Sequence, residues 1–159
     1  MSLINCNNCF FHKVFFLLNV ILILMASDNP TKKKILIMDD EDAICDITTI
    51  ILRRLGYDPI TVSNGDDAVK AYKSAKENGN GFDLVILDLT IPGGKGGREV
   101  MNDLKQYDAG VCALVSSGDA NDPAVISYQD YGFSGVLMKP YNKEKLSECI
   151  NAYLTTNKN

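Results

Sequence analysis

Two stretches of this chain admit few structures: Ile35-Leu36-Ile37-Met38 and Leu84-Val85-Ile86-Leu87. Each is an unbroken apolar run rich in strand-forming residues, and each stops at an aspartate, Asp39 or Asp88. A strand with one wet face alternates apolar and polar residues. An unbroken run reads instead as a strand covered on both faces, the situation of parallel sheets in α/β proteins.

The remaining periodicity fits that frame. Ile60-Thr61-Val62 reads as a second strand, residues 111–115 as a fourth ending at Ser116-Ser117-Gly118, and residues 134–138 as a fifth ending at Lys139-Pro140. Between the strands lie helical patterns. Ile44, Ile47, Ile50, Ile51 and Leu55 recur at helical spacing before Gly56. Ala68, Val69, Ala71, Tyr72 and Ala75 mark a second helix, and residues 99–107 a short third. Asp122-Pro123 offers an N-cap followed by proline at the first helical position, opening a fourth helix expected to run to Tyr131. Leu146, Cys149, Ile150 and Tyr153 share a face of a fifth, over residues 143–154. Strand and helix alternate five times with short connections. The expected fold is α/β: a doubly wound five-stranded parallel sheet between two helical layers, a (βα)5 three-layer sandwich.

At 159 residues the chain suffices for one domain with a substantial core. Its net charge of −4, with Lys13 the only charged residue before Asp28, argues against broad nucleic-acid binding, and no nucleic-acid partner is expected. Five cysteines, an odd number, make no disulfide framework and point to a reducing, cytoplasmic setting. Cys45, Cys112 and Cys149 fall in or beside predicted elements and read as small apolar core residues.

Residues 1–31 differ in character and are expected to form a hydrophobic extension and polar linker, with the domain at 32–155 and a polar tail at 156–159. Val14 to Met25 is apolar apart from Asn19, and three readings stand open. Lys13 ahead of an apolar core suits a signal peptide, although Leu24-Met25-Ala26 makes a poor cleavage site. The run is short against the ~20 residues a membrane-spanning helix needs, yet Lys32-Lys33-Lys34 on its flank would suit an anchor with the domain on the cytoplasmic side. Alternatively Met25 is the effective start and the preceding residues are dispensable. Any membrane contact is expected only through residues 10–25. Cys6-x-x-Cys9 with His12 is half a zinc site without a second half.

What the strands carry at their C-terminal ends is more informative. The first ends in Asp39-Asp40, the third in Asp88, the fourth in Ser116-Ser117 and the fifth in Lys139. In an open α/β sheet these ends share one edge, where ligands collect. Converging carboxylates cannot all stay ionised without cations. Lys139 supplies one charge, and a hard divalent ion with oxygen ligands, such as Mg2+, would supply the rest. A carboxylate is ionised at neutral pH and attacks phosphorus without a general base; Asp88 is therefore the candidate nucleophile for a phosphoryl group. Asp42 and Asp122 are better explained as helix-start residues. Either Ser116 or Ser117 offers the hydroxyl, with Ser117 favoured because Gly118 follows it.

These residues carry a resemblance. Residues 33–154 resemble the receiver domain of two-component response regulators, a flavodoxin-like fold. The matching marks are Asp39-Asp40 after the first strand, Asp88 with Pro92-Gly93 following, Ser117 before Gly118, and Lys139-Pro140. The resemblance implies that Asp88 takes phosphate from the phosphohistidine of a histidine kinase, becoming an aspartyl phosphate. It implies that Asp40, Asp88 and the backbone carbonyl of Thr90 ligate Mg2+, with Asp39 acting mainly through water. It gives Ser117 the switch-hydroxyl role, Lys139 the phosphate-pairing role, and the Lys139–Pro140 bond a cis geometry. The protein would be a signalling module, with no enzymatic activity beyond its own phosphotransfer and autodephosphorylation. Its partners would be a histidine kinase or phosphotransfer protein, and a downstream protein at the face of the fourth helix, fifth strand and fifth helix. No output domain is expected, so signalling would run through partner binding.

The sequence departs from the family pattern in places. Val136 stands where the family often has an aromatic switch residue. Thr90 and Asp119 occupy positions that tune phosphate lifetime in the family. The glycine-rich run at 93–97 suggests a mobile loop, and it lacks the Gly-Lys-Ser/Thr of a nucleotide-binding loop. Two alternatives use similar parts. A haloacid-dehalogenase-like phosphatase would also use Asp88 as nucleophile but wants a second aspartate where Thr90 stands. A flavodoxin would have to seat its cofactor phosphate in an acidic pocket.

Overall fold

The computed structural model describes residues 32–154. The expectations for the N-terminal extension and the C-terminal tail lie outside the described residues. The elements are β1 (Lys34–Met38), α1 (Asp42–Arg54), β2 (Asp58–Val62), α2 (Gly65–Glu77), β3 (Leu84–Asp88), α3 (Gly97–Tyr107), β4 (Ala113–Ser117), α4 (Pro123–Ile126), β5 (Gly135–Met138) and α5 (Lys143–Leu154). All strand pairs are parallel and the order is β2-β1-β3-β4-β5. The chain moves from β1 out to β2 and then back across β1 to β3. The strand order reverses there, and the crevice at such a reversal is where ligands bind in doubly wound sheets. Asp39 and Asp88 stand at its two sides.

Both sheet faces are covered, as the unbroken apolar runs require. Leu36, Met38, Val85, Leu87, Ala113 and Val115 pack with Ala68 and Tyr72 of α2, Val100, Met101 and Leu104 of α3, and Ala124 of α4. Ile35, Ile37, Leu84, Ile86, Leu114 and Leu137 pack on the other face with Leu52 of α1 and Leu146, Ile150 and Leu154 of α5. Each fully buried Leu or Ile contributes about 1.5–3 kcal/mol relative to exposure. The alternation carries on to the strand ends. Asp39, Asp88, Ser116 and Lys139 continue the series on the α1/α5 face, whereas Ser117 continues the series on the other.

Several boundaries differ from expectation. β2 begins at Asp58 and includes Pro59, tolerated because β2 is an edge strand. β4 starts at Ala113 and takes in both serines. α4 stops at Ile126 rather than running to Tyr131, and residues 127–132 form turns closed by bonds such as Asp130 N–H to Ser127 and Gly132 N–H to Gln129. Its start is as expected, with Asp122 accepting from Ala124 N–H at 2.7 Å and proline following. In α1 the buried residues are Thr48 and Leu52, while Ile47 and Ile50 are 53% and 52% exposed. So many branched apolar residues in one turn fit two helical registers, and the sheet selected the one through Thr48. Cys45, Cys112 and Cys149 are free thiols and only partly buried, so they rim the core rather than fill it. No helix among the described residues is long and apolar enough to cross a membrane.

Candidate functional site

The ladder extends past the strand ends and fixes the site. Asp39 N–H donates to Val62 C=O at 3.1 Å, Leu89 N–H to Ser116 C=O at 3.1 Å, and Lys139 N–H to Ser117 C=O at 2.8 Å. The residue after each strand is thus held as firmly as the strand. The Lys139–Pro140 peptide is cis, as expected.

Lys139 reaches across this edge. Its Nζ lies 2.7 Å from Asp39 Oδ2 and 2.8 Å from Asp88 Oδ2, with Glu41 Oε1 farther off at 3.7 Å. Asp39 and Asp88 are buried, and Asp40 is exposed at the mouth. Carboxylate oxygens of Asp39, Asp40 and Asp88 lie within 4.8 Å of one another. The remaining oxygens of the two buried acids accept backbone N–H groups, Asp39 Oδ1 from Glu41 at 3.1 Å and Asp88 Oδ1 from Thr90 at 3.3 Å.

Charge is out of balance here. Burial raises the Asp39 pKa above its ordinary value and outweighs the opposing bonds from Lys139 and Glu41 N–H. Burial alone would lower the Lys139 pKa, but its bonds to Asp39 and Asp88 prevail and hold the ammonium charged well beyond its usual range. One fixed cation against three carboxylates, all hard oxygen donors with one open to solvent, suits a hard divalent ion that keeps part of its water shell.

Thr90 is exposed and tied to Asp88 through its N–H. Ser117 is 7% exposed, and its Oγ accepts from Asp119 N–H at 3.1 Å. Among the described residues no hydrogen bond joins that hydroxyl to the carboxylates. Of the residues expected in the site, Asp39, Asp40, Asp88 and Lys139 form one cluster, while Ser117 and Thr90 border it. Cys45, not expected there, donates Sγ–H to Asp39 C=O at 3.4 Å. Burial first, then Asp39, Asp42 and Asp46, push its thiol up to about 11, so it stays protonated at neutral pH.

Two supports were not foreseen from sequence. Gly96 and Gly97 are buried against the strand end. A Cβ on Gly97 would lie 2.7 Å from the Asp88 carbonyl oxygen and 3.3 Å from Leu87 Cβ. The end of the glycine run is therefore a close packing of loop on strand, not the mobile segment its composition suggested. The signal lay in position, two glycines directly at a helix start behind the acceptor strand. Tyr141 is the other: its hydroxyl and Thr48 Oγ1 are 3.0 Å apart, tying α1 to the segment that carries Lys139.

Comparison with known proteins agrees with this geometry. The family described as "Response regulator receiver domain" matches residues 35–151. The chain is similar to the DNA-binding response regulator MtrA of Mycolicibacterium smegmatis, 29% identical over 79% of this chain and 52% of that protein. It is similar also to the alkaline phosphatase synthesis transcriptional regulatory protein PhoP of Bacillus subtilis, 30% identical over 77% of this chain and 48% of that protein. The chain thus spans about half the length of these relatives. Among solved structures, a CheY-like receiver domain protein of Methanospirillum hungatei superposes with a TM-score of 0.68 at 27% identity, over 79% of this chain and 96% of that one. The receiver domain of a sensor histidine kinase from Pseudomonas aeruginosa, solved with magnesium in its active-site cleft, shares the fold at 18% identity and TM-score 0.69, over 79% of this chain and 99% of that one. None of this supports the phosphatase alternative, and Thr90 still stands where that chemistry needs an aspartate. The chain belongs to the response regulator receiver domain family, the phosphoacceptor signalling modules of two-component systems.

Proposed function

We propose that Asp88 is the phosphoacceptor and that the cluster around it is the phosphotransfer site. The observation that carries this reading is the Lys139 ammonium held between the buried carboxylates of Asp39 and Asp88 at the sheet's reversal point. An Asp88 oxygen attacks the phosphorus of a phosphohistidine. The P–N bond breaks and its electron pair returns to the imidazole, leaving an aspartyl phosphate. The phosphoryl oxygens carry the charge of this transition state, and an ammonium 2.8 Å from the nucleophile is placed to follow it. Asp39, Asp40, Asp88 and the Thr90 backbone carbonyl would hold Mg2+, which when bound offsets negative charge on those oxygens. Ser117 is assigned the hydroxyl that meets the phosphoryl group, at the cost of its bond from Asp119 N–H. Phosphate loss would use the same groups with water as the attacking atom.

The donor would be a histidine kinase or a phosphotransfer protein. The α4–β5–α5 face is the proposed downstream surface, and the exposed Ile126 on α4, 67% accessible, supports that choice. The domain is assigned to residues 32–155, with 1–31 as extension and linker and 156–159 as tail. A cytoplasmic setting is supported by the three free thiols, and the acidic balance supports a protein rather than nucleic-acid partner for the domain itself.

The test is intact-mass analysis after incubation with a small phosphodonor and Mg2+. Wild type gains one phosphoryl group and Asp88→Asn gains none. An unlabelled wild type contradicts the assignment, and sustained turnover of many phosphomonoesters restores the phosphatase.

A further inference from the structure

Ser116 is 1% exposed, and its Oγ is the one buried side-chain polar atom without a hydrogen-bond partner among the described residues. Buried hydroxyls are rarely left so, because an unmade bond in a dry site is costly. Its position limits what the partner can be. In the parallel ladder Ser116 is the Cα partner of Asp88 on one side and of Leu137 on the other. Neighbouring strands lie about 4.8 Å apart, so side chains of ladder partners on one face are within reach through a single χ1 rotation. Ser116 shares the α1/α5 face with Asp88, while Leu137 offers no acceptor. In the described state both Asp88 oxygens are engaged, Oδ1 with Thr90 N–H and Oδ2 with Lys139.

We infer that Ser116 is a hydrogen-bond donor to the Asp88 carboxyl group in the phosphorylated protein, and that it shortens the lifetime of the phosphate. The inference rests on Asp88 being the acceptor. Once Lys139 turns from Asp88 to the phosphoryl oxygens, the acyl group loses a donor, and the Ser116 hydroxyl is the free one alongside. In hydrolysis, water adds to phosphorus and the P–O bond to Asp88 breaks. The electron pair passes to the Asp88 carboxylate, and the water oxygen with both its hydrogens leaves as H2PO4−. Charge on the dianionic acyl phosphate is thereby divided between carboxylate and phosphate. A donor on the departing carboxylate stabilises the charge that builds there. Ser117 has a different task, since it faces the opposite side of the sheet and is occupied by Asp119 N–H.

The test compares wild type with Ser116→Ala, Ser116→Thr and Ser116→Val. Each is labelled with a small phosphodonor and Mg2+, freed of donor, and followed by intact mass. Thr and Val have nearly the same shape and differ by the hydroxyl. Loss of one hydrogen bond is expected to lengthen the phosphate half-life roughly three- to tenfold in the Ala and Val proteins, with Thr within about twofold of wild type. Because the hydroxyl is unpartnered before phosphorylation, Ser116→Ala is expected to melt no lower than wild type. Equal lifetimes for Thr and Val overturn the inference, as does an Ala protein that melts lower with an unchanged lifetime, the mark of a purely structural hydroxyl. If the Val protein fails to fold, Ala against Thr makes the same comparison. A wild type that labels on Asp88 while the Ser116 variants behave alike leaves the acceptor assignment standing and removes only Ser116; an unlabelled wild type removes both.

Discussion

The two edges of the sheet each carry a buried or half-buried acid facing a lysine, and they are built on opposite terms. At the edge where strands begin, Asp108 follows α3 and accepts from Lys76 Nζ, from Tyr72 OH at 2.8 Å and from Gly110 N–H at 3.1 Å. The Lys76 bond leads the effects that hold its pKa below the ordinary value. Donors outnumber the acid, and the cluster simply fastens α2 to the end of α3. At the edge where strands finish, three carboxylates share Lys139, and burial raises the Asp39 pKa. An acid with a satisfied charge is structural mortar; acids left short of cations at a strand reversal mark a site that awaits charge from outside. Like charges gathered without compensation oppose folding, a cost that functional sites often carry.

Substitution is the direct way to break this contrast. The largest effect belongs to Asp88→Asn: labelling by a small phosphodonor is abolished while the metal-free protein unfolds at the same or higher denaturant concentration, because one repelling charge is gone. A marked loss of stability would place Asp88 with Asp108 as a structural acid. Next, Lys139→Met removes the one cation, and the initial labelling rate is expected to fall by about 10²-fold or more; an unchanged rate would deny the lysine its role. Gly97→Ala follows, forcing a methyl group against the Asp88 carbonyl oxygen. Overpacking of this kind costs about 1–3 kcal/mol, read from urea unfolding, and slower labelling should accompany it as the strand end shifts. Asp108→Asn is expected to cost about 1–2 kcal/mol through its lost charged bonds, with no change in labelling.

The smallest effect is in pH, where the two edges differ in sign. Asp108 has its pKa lowered, so its contribution is present above its ordinary value of 3.8 and is lost as pH falls through the lower folded value. The stability gap between wild type and Asp108→Asn should therefore close in strong acid. Asp39 has its pKa raised, so its ionised form opposes folding at neutral pH, and protonation relieves that as pH falls toward 3.8. Metal-free Asp39→Asn should thus gain most over wild type at neutral pH and least in acid. Parallel pH profiles for the two variants would erase the distinction.

Much of this was readable in the chain. Unbroken apolar runs are an unambiguous sign of strands covered on both faces, and an aspartate ending such a run has few structural explanations. Asp39, Asp40, Asp88 and Lys139 were therefore found from strand order alone. Other features depend on what lies across the fold. Ile47 and Ile50 match a helical stripe as well as Thr48 does, and only the packed sheet decides between them. α4 ends after one turn because Ser127 to Gly132 prefer local turns, a competition that an N-cap and proline do not reveal. The glycines at 96 and 97 look like flexibility by composition, yet their need for a missing Cβ comes from the Asp88 backbone, distant in kind from any helix signal. Ser116 and Ser117 are adjacent in sequence, and the side of the sheet each one faces follows from the register with Asp88, which sequence does not supply.

The central claim is that the unbalanced edge exists to receive a phosphoryl group on Asp88. Its most direct measurement is to label the protein with a small phosphodonor and Mg2+, reduce the acyl phosphate with borohydride, and sequence the peptides by mass spectrometry. The expected product is homoserine at position 88 and nowhere else. Phosphate recovered on another residue, or an unmodified Asp88 in protein that carries the label, would contradict the account.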